Sequence, residues 1–80
     1  MDRLTAARLL EVAEKRAKEA IERTTRQREL VARLEGHLGR VRDEAHELLE
    51  QLELSERVLL QECDRLRAIR GPTAELDDTD

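Results

Sequence analysis

The sequence predicts an all-α protein: an antiparallel helical hairpin (coiled coil) that dimerises into a four-helix bundle, with one long continuous helix in a coiled-coil dimer as the rival arrangement. Three observations carry the prediction. Apolar residues recur at alternating steps of three and four positions, which lays them along one stripe of a helix. The chain lacks Phe, Tyr and Trp and is rich in Ala, Leu, Glu and Arg, which are strong helix formers, while β-branched residues are scarce. Near its middle stands Gly36-His37-Leu38-Gly39, whose two glycines each weaken a helix by about 1 kcal/mol relative to Ala.

The first helix is expected over about 3–35, with Asp2 as its N-cap because a carboxylate there accepts from the first free backbone amides. With Leu10 as the first a position of a heptad, the a positions run Leu10, Ala17, Thr24, Val31, Leu38, Ala45, Leu52, Leu59 and Leu66. The d positions run Ala13, Ala20, Gln27, Leu34, Val41, Leu48, Ser55, Glu62 and Ile69. Fourteen of these eighteen are apolar and only Glu62 is charged, in a chain with 42% charged residues, so charge has been sorted to the outside. Leu9, Ile21, Leu30, Leu49, Val58 and Cys63 add apolar side chains at flanking e and g positions. The stripe is therefore wider than a two-stranded seam needs, which favours a bundle. Outward acids lie four residues before bases in Glu11–Lys15, Glu14–Lys18, Glu19–Arg23, Glu22–Arg26, Glu29–Arg33 and Glu53–Arg57, a spacing that supports an exposed helix face.

A turn is expected at about 36–39 and a second helix over about 40–70. Folded back, the first half sets Ala13, Ala17 and Ala20 against Leu52, Leu59, Leu60 and Leu66, so that small residues meet large ones without voids. The rival rod, about 100 Å long at 1.5 Å per residue, rests on the heptad phase passing undisturbed through Leu34, Leu38, Val41, Ala45 and Leu48. Gly71-Pro72 ends the helical region, because Gly adopts the left-handed cap and Pro cannot continue the ladder. Residues 1–70 thus read as one hairpin domain and 71–80 as a disordered acidic tail.

Eighty residues bury a small share of their surface, which makes self-association the usual remedy. Residues 1–70 carry 15 basic and 15 acidic side chains, and the net charge of -4 comes from Glu75, Asp77, Asp78 and Asp80. A neutral body exerts no general pull on nucleic acid or anionic lipid. One cysteine, Cys63, and no apolar run long enough for a leader or a membrane span fit a cytoplasmic protein. Cys63 reads as a small buried hydrophobe in preference to a crosslinking thiol.

The residues expected to form the interaction core are Leu10, Ala17, Val31, Leu34, Leu48, Leu52, Leu59, Leu66 and Ile69, which hide from water against the other helix or a partner helix. The partner is the chain itself or another helical protein. Arg26, Arg33 and Arg40 share the c position and form a candidate basic face that would suit a regulatory adaptor or a nucleic-acid-associated protein. Acids four residues away and the lack of stacking aromatics weigh against nucleic acid. His37 and His46, nine residues apart, do not share a helix face as metal ligands would, and His46 is expected in solvent. No catalytic constellation, cofactor motif or small-molecule site is expected. Thr24 and Gln27 place a polar layer in the seam, with Ser55 and Glu62 as further interruptions, and such layers fix register when their partners are specific.

The run Arg26-Gln27-Arg28-Glu29-Leu30, then Ala32-Arg33-Leu34-Glu35, the Gly36-His37 step, Glu47-Leu48-Leu49-Glu50 and Asp64-Arg65-Leu66 resemble a group of small uncharacterised proteobacterial helical-hairpin proteins. The resemblance covers about residues 13–66, implies a hairpin, and implies no activity. Leu38-Gly39 stands where that group has an Asp-Thr cap for the second helix, and Asp43 is the nearest substitute cap.

Overall fold

The computed structural model describes residues 1–36 and 39–72 and contains two helices, α1 (Arg3–Arg33) and α2 (Arg40–Arg70), packed side by side in a hairpin of 60 × 22 × 14 Å. Both helices hold 31 residues, so neither overhangs the other by much. At the open end Gly71 lies beside the Arg3 guanidinium. His37, Leu38 and the expected tail from Thr73 onward lie outside the described residues.

Asp2 caps α1 as its chemistry requires: its backbone is extended and its Oδ1 accepts from the Thr5 amide at 2.7 Å. That hydrogen bond holds the Asp2 carboxyl below its ordinary range. A lowered folded-state pKa means the cap contributes fully above the unfolded value and is lost as pH falls through the folded one. Asp2→Ala should therefore lower the melting temperature at neutral pH, and thermal melts of the two proteins should converge in acid.

α1 stops two residues short of the expected boundary. The Leu34 amide still donates to the Leu30 and Val31 carbonyls, and Gly36 then takes φ +85°. Gly39 follows at φ 110°, ψ -167°, a combination nearly closed to residues with a Cβ. Among the described residues nothing lies within 4 Å of where a Cβ would sit on either glycine, so conformation, not crowding, requires them. Two positive-φ glycines are incompatible with a continuous helix, and the rod is excluded. α2 is capped by Gly39 without a side-chain bond, and Asp43 is no cap but a first-turn acid whose amide donates to the Gly39 carbonyl.

Along α1 the buried residues are Leu10, Ala13, Ala17, Ala20, Thr24, Gln27 and Val31, at expected a and d positions, and Ala6, one heptad before the first expected d position. α2 departs from expectation. Its a residues Ala45, Leu52, Leu59 and Leu66 face α1, but their companions are Leu49, Glu56 and Cys63 in place of Leu48, Ser55 and Glu62. The buried stripe of α2 is thus turned by about 50° from the one the uninterrupted heptad implies. The turn uncouples the phases of the two helices, and α2 carries apolar residues in three adjacent columns, of which a two-helix seam covers two. The third column, with Val41 and Leu48, stays outside.

The core is alanine against leucine. Leu10, Ala13 and Ala17 of α1 cluster with Cys63 and Leu66 of α2, and Leu59 packs on the cluster. Methyl-sized side chains on α1 let the helices approach while the longer α2 side chains fill the space between them. Leu60, expected in this layer, lies on the surface instead.

Candidate interaction surface

Two polar residues of α1 reach across the seam. Gln27 Nε2 donates to the Ala45 carbonyl at 2.9 Å, and Thr24 Oγ1 donates to the Ala20 carbonyl one turn back at 2.9 Å. Thr24 Oγ1 also stands 3.5 Å from the Leu52 carbonyl, at the outer limit of a hydrogen bond. The buried Gln27 amide thus has a hydrogen-bond partner across the seam. Ser55 and Glu62 play no such part: Ser55 is exposed, and Glu62 sits at the edge, where Arg65 hydrogen-bonds it and holds its carboxyl below the ordinary range.

The two flanks of the hairpin differ. On one, Arg67 pairs with Glu14 at 3.0 Å and Arg28 with Glu53 at 3.4 Å, so both ion pairs between the helices close the same side. Glu14 and Glu53 were expected to pair within their own helices. The hairpin offers each a nearer cation across the seam, and exposed pairs differ so little in energy that proximity decides. Ile21 and Leu60 stand between these bridges.

The opposite flank has no ion pair between the helices among the described residues. Toward the open end, Leu9, Val12 and Arg16 form a groove with Leu59, Glu62 and Leu66. Toward the turn, Arg23, Arg26, Leu30 and Arg33 form a second groove with Leu48 and Leu52, floored by Gln27. Leu9, Arg16, Arg23 and Leu30 succeed one another at seven-residue intervals, as do Leu48 and Glu62 at fourteen, so both grooves belong to one continuous flank. On it Leu9 is 44% exposed, Val12 48% and Leu48 46%.

The expected core residues divide accordingly. Leu10, Ala17, Val31 and Leu66 are buried in the seam, while Leu34, Leu52, Leu59 and Ile69 are half-buried at its edges. Leu48 lies outside the seam, on the open flank, because α2 presents Leu49 to α1 instead. The basic face is also rearranged: Arg26 and Arg33 line the turn-side groove with Arg23, whereas Arg40, beyond the break, begins α2 and does not line it. Val12 was missed entirely, although its i, i+3 spacing from Leu9 was a legible signal.

His46 is half-buried, not solvated, because the turned stripe of α2 carries its column toward the seam. Its Nε2 is buried and has no hydrogen-bond partner among the described residues. Cys63 is 1% exposed, and burial pushes its thiol up from the ordinary range. It should react with a disulfide reagent such as Ellman's slowly in buffer and at the rate of a free thiol in denaturant. Equal rates would place it outside the core.

No protein-family model matches the chain, and no curated protein and no solved structure matches it. Among the described residues no helix is long and apolar enough to cross a membrane, and no group of three His, Cys, Asp or Glu side chains is gathered to hold a metal ion.

Proposed function

We propose that this protein is a non-enzymatic coiled-coil module whose work is association through helix faces, first of all with itself, in the four-helix-bundle manner. The observation that carries this reading is the open flank. α2 carries apolar residues in three adjacent columns, the hairpin seam covers two, and outside it Leu48 lies beside Leu30 of α1, with Leu9 and Val12 farther along the same flank. Apolar side chains left exposed beside charged ones along one helix flank are what helical partners bury. The free thiol suits a reducing cytoplasm, and the likeness to small proteobacterial hairpin proteins suits the same reading.

Multi-angle light scattering at about 10 μM, a concentration suited to moderate affinities, tests it. The expected mass is twice the 9.3 kDa of the chain, and Leu48→Glu should return a helical monomer. A monomer at millimolar concentration would refute self-association and leave another helical protein as the partner.

A second reading, a nucleic-acid-associated adaptor, is favoured by Arg23, Arg26 and Arg33, none of which has a carboxylate within 4.0 Å among the described residues. A mobility-shift titration at low salt tests it, and absence of a shift would dismiss it.

A further inference from the structure

The inference here rests on the self-association proposed above and adds the face used and the direction of pairing. The open flank is polarised along its length. Its turn half holds Arg23, Arg26 and Arg33 around Leu30 and Leu48. Beyond its other end, after Gly71 and Pro72, the sequence carries Glu75, Asp77, Asp78 and Asp80 with no base among them. Gly71 beside Arg3 fixes the point from which that negative charge departs.

The geometry points to a second copy of this chain docked on the flank of Leu9 and Leu48, with the turn of each hairpin beside the open end of the other. We propose this antiparallel pairing because it brings the four acids that follow Pro72 in each copy to the arginine groove of its partner. It also lays the Leu9 end of one apolar strip over the Leu30 end of the other. Pairing with the turns together would gather six of these arginines at one end and eight of these acids at the other, which like-charge repulsion opposes.

The acids cannot serve the far end of the groove of their own chain, at Arg33. The eight residues after Pro72 span at most about 27 Å when fully extended. From the level of Arg3, the rise along α1 is about 30 Å to Arg23, about 35 Å to Arg26 and about 45 Å to Arg33. A neighbour's turn, lying alongside, brings Arg33 within reach as well.

Pulsed dipolar spectroscopy with a spin label at Glu35→Cys tests the direction. The label goes into the Cys63→Ala background or, if that variant loses helicity, into the chain that keeps the buried Cys63. Antiparallel pairing should give a distance of roughly 46 Å or more, the length of a 31-residue helix. A distance under about 30 Å, two hairpin widths of helices 8–10 Å apart, would overturn the direction while leaving self-association standing. No dipolar signal at all would overturn both. Ending the chain at Pro72 should weaken dimerisation about tenfold at low salt and have little effect at about 0.5 M salt. Unchanged low-salt affinity would remove the role given to the acids, and monomers from Leu30→Glu with helicity intact would uphold the face.

Discussion

Leu66→Ala should unfold the hairpin or leave it marginal. Leu66 is 2% exposed and touches the one cluster in which both helices are fully packed, with Leu10, Ala13, Ala17 and Cys63 around it. Removing three carbons there costs the transfer free energy of the leucine and leaves a cavity, together about 2–5 kcal/mol. A chain of this size has roughly 4–12 kcal/mol in all at the usual stability per residue. Ala13 and Ala17, with a methyl group each, cannot extend to fill the space. Leu54 supplies the control: it is 57% exposed, and Leu54→Ala should shift the melting temperature little. Thermal denaturation by circular dichroism reads both, and similar melts for the two variants would show that the core lies elsewhere.

The second large effect is expected at the turn. Replacing Gly36 and Gly39 together with Ala puts two Cβ-bearing residues at φ +85° and φ 110°. Each costs on the order of 1–3 kcal/mol in those conformations, while each gains about 1 kcal/mol of helix propensity if the chain straightens. The heptad supplies the alternative, since Leu34, Val41, Ala45 and Leu48 hold one phase across the break. The double variant should therefore populate a continuous helix that associates along its a and d positions. Small-angle X-ray scattering should show the maximum dimension rise well beyond the 60 Å of the hairpin, toward about 100 Å. An unchanged dimension would mean that the seam alone, without the glycines, holds the fold.

Those glycines also show how far the sequence could be read. The helix start at Asp2, the alanine-to-leucine packing and the polar layer of Thr24 and Gln27 were legible because each depends on residues close in sequence or on size complementarity. The side of α2 that meets α1 was not. Its a, d and e columns all carry apolar residues, so Leu48 and Leu49 are equivalent by pattern, and the choice belongs to how the six-residue turn aims the second helix. The same cause moved Cys63 inward, set Glu62 at the edge, half-buried His46 and separated Arg40 from Arg26 and Arg33. Ion pairs were illegible for a different reason. Glu14 and Glu53 each had a cation four residues on and another across the hairpin, and exposed pairs of similar geometry differ by less than about 1 kcal/mol. What the pattern did announce was surplus apolar width, and the open flank with Leu9, Val12 and Leu48 carries part of it, as Ile21 and Leu60 do on the other flank.

The fold-back itself is the premise of every surface described above, and one intramolecular distance tests it most directly. Labels at the exposed positions Arg8 and Asp64, introduced as cysteines in the Cys63→Ala background and diluted with unlabelled chain, report a single molecule at a time. The hairpin requires them within about 25 Å, helices 8–10 Å apart plus the label arms. A separation near 84 Å, fifty-six residues of unbroken helix at about 1.5 Å each, would contradict it.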